Sequence, residues 1–219
     1  NGRGHKDNFY HTLQVLDNVA EVSDDLWLRW VAIMHDIAKP LTKRYDRVRG
    51  WTFDGHEDKG SRMVPKVFRR MKLPLNEHMK YVQKLVKLHQ RPIALVNEEV
   101  SDSAIRRIIV EAENDLEDLL TFCRADITSK NDKKVARFLA NYEALEKRIH
   151  EVLERDHLRN WQPPVDGEMI MKTFNIPPSR TVGQIKNDIR EAILEGIIPN
   201  DPEAAIAYMH EIAPKYLGE

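Results

Sequence analysis

The chain has 219 residues, 42% of them hydrophobic and 32% charged, with a formal net charge of −1. That composition excludes a disordered segment, and no apolar run approaches the roughly 20 residues that a bilayer-spanning helix needs. One cysteine, Cys123, excludes an internal disulfide and points to a reducing compartment, the cytoplasm.

The first residues, NGRGHKDNFYH, carry no signal-peptide pattern, and a start at Asn1 without methionine reads as a piece of a longer protein. Phe9 to Val22 is predicted helical from Leu13, Leu16 and Val19, spaced three apart. Leu26 to Ala38 is apolar nearly all round and reads as a buried central helix stopped by Pro40. Leu41 to Gly55 is expected to be a loop or short hairpin, and His56 to Lys72 a basic amphipathic helix that contains Pro65. Asn76 can cap a helix to about Gln90, ended by Pro92. Ser101 caps the next helix, and Asn114-Asp-Leu-Glu117 has the spacing of a capping box for a helix through Asp126. Lys133 to about Leu158 is expected to be one long charged helix.

The pattern breaks at Trp161-Gln-Pro-Pro164. Beyond it, Thr181-Val-Gly-Gln184 reads as a second capping box, and Asp201-Pro202 as a cap followed by proline at the first helical position. Residues 165 to 214 therefore read as about three short helices. The expected architecture is all-α: a helical domain over 1–160 and a small C-terminal helical module over 165–219.

Charge is uneven along the chain. Lys39 to Arg91 holds 15 Lys/Arg against 5 Asp/Glu, a net +10, so the remainder carries −11. Such a block reads either as solvated helix faces or as a surface for an anionic partner.

Several titratable residues fall on apolar faces. His35 and Asp36 sit inside the apolar run VAIMHDIAKP. His89 follows Val82 and Leu85 at helical spacing, and Asp126 follows Leu119 and Cys123. His11 precedes Val15 and Asn18. An inward histidine alone reads as a hydrogen-bonded core residue, but a buried carboxylate requires compensation. A metal ion reconciles them, because imidazole and carboxylate together suit Zn, Fe, Mn, Co or Ni.

The order His11, His35-Asp36, Asp126 resembles the HD-domain superfamily of metal-dependent phosphohydrolases. His56 and His89, between the HD pair and the last Asp, resemble the variant with extra histidines. The segments DNFYHTLQVLDN, MHDIAKP, GHEDKGSRM, LVKLHQRP and FCRADITSKN resemble the HD region of bacterial tRNA nucleotidyltransferases. The tail from Asp166 to Met209 is similar to the small helical segment that ends those proteins.

The resemblance implies an HD-domain helical bundle that hydrolyses phosphate esters with one or two divalent ions, Mn, Fe, Co, Ni, Zn or Mg. His11, His35, Asp36 and Asp126 are implied ligands of the first ion. His56 and His89 would hold a second ion or bind phosphate. Asp36 would bridge two ions or orient water, and Lys39 would contact phosphate, with Lys43, Arg44 and Arg62 as weaker contacts. The implied partners are a phosphate-ester substrate and tRNA or another RNA, and no membrane.

Two departures stand out. Gly60-Ser61 lacks the Asp-x-Asp pair that follows in the polymerase head, so nucleotide addition is not expected of this sequence. Ala38 stands where the HD-x-Gly pattern has glycine, which adds one methyl group beside the site. The alternative to a hydrolase is an RNA-binding body and tail, and a third reading is a metal-stabilised scaffold without turnover. His5, His78, His150, His157 and His210 read as surface residues, Trp27, Trp30 and Trp161 as core or interface, and Cys123 as inert core.

Overall fold

In the computed structural model, the described residues are 7–96, 100–129, 131–158, 161 and 164–217. His5 and the Gln162-Pro163 part of the expected break lie outside them. The elements follow from short-range chemistry. Asp7 caps α1 (Asn8–Val22) by accepting from the Phe9 and Tyr10 amides at 2.9 and 3.2 Å. Asp25 does the same for α2 (Leu26–Met34), accepting from Trp27 and Leu28 at 2.6 and 2.7 Å. Such caps satisfy amides that a helix start leaves open and contribute about 1 kcal/mol each.

α2 ends at Met34, earlier than expected. Pro40 does not stop it but sits in the first turn of a separate short helix, α3 (Lys39–Thr42), where its missing amide hydrogen costs nothing. A hairpin follows, with β1 (Arg44–Asp46) antiparallel to β2 (Gly50–Thr52) and Tyr45 opposite Trp51. α4 (His56–Arg70) runs through Pro65, and α5 (Glu77–Leu88) is capped by Asn76 as expected. Pro92 likewise opens rather than ends a helix, lying in α6 (Gln90–Leu95).

Ser101 caps α7 (Asp102–Ala112) through the Ala104 amide. Neither expected capping box forms. A 3-10 turn at Glu113–Asp115 leads into α8 (Leu116–Asp126), whose cap residue is Asp115 without a side-chain bond. α9 is Asp132–Arg155 and α10 is Gly167–Phe174. α11 (Arg180–Glu195) begins after Ser179, which places Thr181 inside the helix. α12 (Pro202–Leu217) starts as expected, with Asp201 accepting from the Glu203 and Ala204 amides.

Contacts divide the chain into two compact units. The first comprises Asn1–Glu99 and Asn114–Glu146. There α2 packs against α1, α5 and α8, and α4 lies along α5. Leu28, Val31, Phe68, Val82, Leu85 and Phe122 are fully buried in it, and burying each large apolar side chain contributes about 1.5–3 kcal/mol. The buried stripe of α1 is His11, Val15 and Val19, whereas Leu13 is exposed. Of the expected row, Val19 lies on the buried face, Leu16 is half-buried and Leu13 is not on it.

The second unit comprises Val100–Glu113 and Lys147–Glu219. α11 is its centre, in contact with α7, α10 and α12. Val165, Ile170, Ile185, Ile189, Ile193 and Met209 form its core. Among the described residues no helix is long and apolar enough to cross a membrane.

Candidate metal centre

The six residues that carry the sequence pattern converge in the first unit, five of them at helix ends. His11 projects from the first turns of α1. His35 is the C-cap of α2, and Asp36 lies in the turn that follows. His56 opens α4, His89 closes α5, and Asp126 is the last residue of α8. Helix ends suit this task, because side chains there project past the last turn rather than into a neighbouring helix.

Local sequence explains the convergence. Gly55 sits at φ +77°, a left-handed position that favours glycine, and turns the chain out of the hairpin into His56. Gly60, one turn on, lets α4 approach closely: a Cβ there would lie 3.3 Å from Val86 Cγ1 and 3.7 Å from the His35 carbonyl oxygen. Asn18 donates to the Ala125 carbonyl at 2.8 Å, tying α1 to the end of α8. Ala38 has φ −92° and ψ −5°, a turn conformation on the negative-φ side that does not call for glycine, and its methyl group is buried.

The histidines are held in one tautomer by the backbone. The Nδ1 atoms of His35, His56 and His89 lie 2.8, 2.8 and 2.7 Å from the carbonyls of Ala32, Phe53 and Val86. A carbonyl only accepts, so Nδ1 carries a hydrogen and each ring directs Nε2 inward. This is the orienting contact that metal-binding histidines make through their other nitrogen. His11 Nδ1 contacts the Thr128 hydroxyl at 3.1 Å.

Inward, His56 Nε2 and His89 Nε2 lie 3.3 Å apart. Two lone pairs at that distance repel unless a cation or a proton stands between them. Asp36 faces both sides of the cluster. Its Oδ1 is 3.3 Å from His56 Nε2 and 4.0 Å from His89 Nε2. Its Oδ2 is 3.2 Å from His35 Nε2, 3.6 Å from His11 Nε2 and 2.5 Å from Lys39 Nζ. Asp126 Oδ1 lies 2.9 Å from His11 Nε2 and 3.6 Å from His35 Nε2. Two groups thus have ligand atoms mutually close enough for one ion each, His11–His35–Asp36 and Asp36–His56–His89, and Asp36 belongs to both.

The strongest mark of a cation-binding donor set is an accounting of polar atoms. His35 Nε2, Asp36 Oδ1 and Asp126 Oδ1 are buried without a hydrogen-bond partner. The His35–Asp36 approach of 3.2 Å couples the charges but has the wrong angles for a hydrogen bond. Leaving such groups unsatisfied costs about 1–3 kcal/mol each, more when charged. A divalent ion satisfies an imidazole lone pair and carboxylate oxygens together, so the donor set fits a metal.

Electrostatics agree. Burial disfavours the ionised form of Asp36, yet the approach of His35 and His56 and the charges of His35 and Lys39 outweigh it, holding the carboxyl far below the usual range. Asp126 is also held low: burial is outweighed by the approach of His11, which couples the charges without the angles of a hydrogen bond, and by the charges of His35, His89 and His11. Burial and the charge of His35 push His89 down to about 3, so its ring stays neutral. Burial pulls His35 down, but Asp36 and Asp126 outweigh it and raise it above its ordinary value.

Lys39 joins this cluster and also lies 5.8 Å from the centre of the Phe53 ring. Lys43 sits instead over the Trp51 ring, Arg44 is exposed on β1, and Arg62 is on the surface of α4, 4.0 Å from Asp58. Trp27 stacks on His78, and Trp161 donates to Asn200. Cys123 is buried with its thiol donating to the His89 carbonyl, and burial pushes its pKa well up. Sequence reasoning missed Thr128, two residues past Asp126, and Phe122, whose ring lies 5.4 Å from that of His35.

The chain, with its buried His and Asp cluster, matches the model of the HD domain over residues 8–127 and belongs to that family. It is similar over nearly its whole length to two enzymes. One is the A-adding tRNA nucleotidyltransferase of Deinococcus radiodurans, 27% identical over 99% of this chain and 49% of the relative. The other is the CC-adding tRNA nucleotidyltransferase of Thermus thermophilus, 27% identical over 93% of this chain and 44% of the relative. The multifunctional CCA protein of Shewanella frigidimarina is 35% identical over 33% of this chain and 16% of its own. The chain therefore spans about half the length of the two relatives it matches throughout.

Proposed function

We propose that this chain is a metal-dependent phosphohydrolase acting on phosphomonoesters or phosphodiesters of nucleotides or RNA. The observation that carries the reading is the pair of ligand groups that share Asp36, with buried atoms of His35, Asp36 and Asp126 left without partners. His11, His35, Asp36 and Asp126 would hold one divalent ion, and His56 and His89, with Asp36, a second. A divalent ion held there supplies a Lewis acid that polarises a phosphoryl oxygen and acidifies water to near neutral pH.

The chain's own residues do the rest. The carbonyls of Ala32, Phe53 and Val86 keep three imidazoles aimed inward. Asp36 acts from its two oxygens on both groups, and orients the attacking water. Lys39, bound to Asp36, is placed to neutralise charge on the phosphoryl oxygens. The proposal includes a divalent transition metal or Mg as cofactor, the cytoplasm as compartment, and a division into an HD domain at 1–160 and a small helical module at 165–219.

A second reading has one observation in its favour. The relatives that match along nearly all of this chain are named for activity on tRNA, and the Lys39–Arg91 block carries +10. In that reading the chain is an RNA-binding body and tail without turnover, and its binding weakens steeply with salt.

The test is elemental analysis of the protein, then assay of a generic phosphodiester and a phosphomonoester after chelation and after adding back Mn, Co, Ni or Mg. Bound metal with hydrolysis restored supports the hydrolase. Bound metal without hydrolysis leaves a metal-stabilised scaffold, and neither metal nor hydrolysis leaves RNA binding.

A further inference from the structure

A cavity of about 350 Å³ opens beside the centre, lined by His11 and Asp126 on one side and by Lys39 and Phe53 on another. Its far wall comes from Lys134, Val135 and Phe138 in the first turns of α9. All of these belong to the first unit. The HD family match ends at residue 127, so the α9 wall lies beyond the part of the chain that the family model describes.

The chemistry of this cavity is more specific than phosphate binding requires. A phosphoryl group is small and strongly hydrated, and it would leave most of such a volume empty. Pockets of about 300–1,000 Å³ lined by apolar and aromatic groups, with a few polar groups to orient, hold small organic molecules. Here Phe53 and Phe138 offer aromatic surface and Val135 adds apolar surface, while the two lysines supply positive charge. Lys39 is committed to Asp36 at 2.5 Å, whereas Lys134 stands on an exposed helix start.

We propose that the α9 wall selects the substrate, favouring phosphate esters whose alcohol half carries a flat ring system of nucleoside size. Phe138 packs on the ring, and Lys134 adds a second cation to that of Lys39 for the phosphate. This rests on the hydrolase reading above, since it takes the ester to be held with its phosphate toward His11 and Asp126.

The experiment compares a nucleoside monophosphate with glycerol phosphate as substrates of the metal-loaded full chain. The proteins are wild type, Phe138→Ala, Phe138→Leu and Lys134→Ala, each checked for its thermal melt. Wild type should prefer the nucleoside ester. Phe138→Ala should cut that preference about tenfold, with Phe138→Leu intermediate, since one lost apolar contact is worth about 10- to 200-fold in discrimination. Lys134→Ala should raise KM for both esters. A wild type without preference, or a preference unmoved in the Phe138 variants, overturns the inference while the hydrolase reading stands. If metal-loaded wild type hydrolyses neither ester, calorimetric titration with the nucleoside monophosphate decides for the wall, and the hydrolase reading fails only where the generic phosphodiester is also left intact. Binding that weakens in Phe138→Ala upholds the wall; absent or unaffected binding overturns it.

Discussion

In the unit containing α1 to α6 and α8, four imidazoles and two carboxylates face one another, and three of their buried polar atoms have no partner. In the unit built on α11, the charged side chains that come together are paired. Arg106 donates to Asp156 at 2.7 Å and to the Leu194 carbonyl at 3.2 Å. Arg107 meets Glu191 and Glu195 at 2.7 and 2.6 Å, and Asp102 accepts from Arg148 and Arg155. One arrangement satisfies its charges by itself, and the other leaves buried atoms that a cation would satisfy. An unsatisfied buried group costs stability, so a cluster that keeps three of them signals a purpose other than stability.

That contrast can be broken most severely by taking the metal away. Chelation should abolish hydrolysis and lower the melting temperature, since a ligand at 100 times its Kd stabilises by about 2.7 kcal/mol. Hydrogen exchange should show the loosening in α1, α2, α4, α5 and α8, with α10 to α12 unaffected. Equal loosening in both units would refute the contrast.

A finer cut separates the two ligand groups. His56→Ala removes a donor from the Asp36–His56–His89 group and leaves His11, His35 and Asp36 in place. We expect a lower metal content and an activity reduced by at least about 10- to 100-fold, the loss seen when only a partner that orients a metal ligand is removed. Unchanged metal content and unchanged kcat would remove His56 from the centre.

How legible the contrast was in the sequence depends on the feature. The helices over Asn8–Val22 and His56–Arg70 were readable from their amphipathic pattern, and that over Glu77–Leu88 from its Asn76 cap. Both prolines were misread. Pro40 and Pro92 forbid a helix interior but welcome a first turn, and the sequence alone does not say which side of a proline the helix lies on. The capping boxes at Asn114 and Thr181 were spacing coincidences, since Asp115, one position later, and Ser179, two positions earlier, stand at the starts of those helices.

The candidate ligands were legible as polar residues on apolar faces, together with the family resemblance. What brings them together was not. The carbonyls of Ala32, Phe53 and Val86 act through backbone atoms that every residue shares, and the α9 wall depends on tertiary packing.

On the paired side, Arg106→Ala should destabilise the second unit by about 1–3 kcal/mol, because it leaves Asp156 and the Leu194 carbonyl short of a donor. Urea unfolding measures this, and hydrolysis should not change. An effect on metal content would contradict the independence of the two regions.

The smallest effect is acid sensitivity. Hydrogen bonds from Arg155 and Arg148 hold Asp102 below the ordinary carboxylate value, and bonds from Arg155 and Arg106 do so for Asp156. A depressed carboxylate contributes stability that is present above its unfolded value of 3.8 and is lost as pH falls through its lower folded value. These pairs are partly exposed, so the loss in thermal stability between pH 5 and pH 3 should be below about 1 kcal/mol per pair. Asp102→Asn should flatten that part of the profile.

Asp36 is the residue on which both ligand groups depend, so the most direct measurement is bound metal per chain in Asp36→Ala beside wild type, with circular dichroism on the same samples. Metal in the wild type and its loss in the helical variant are the expected results. A folded Asp36→Ala protein that keeps its full metal content would contradict the proposed centre.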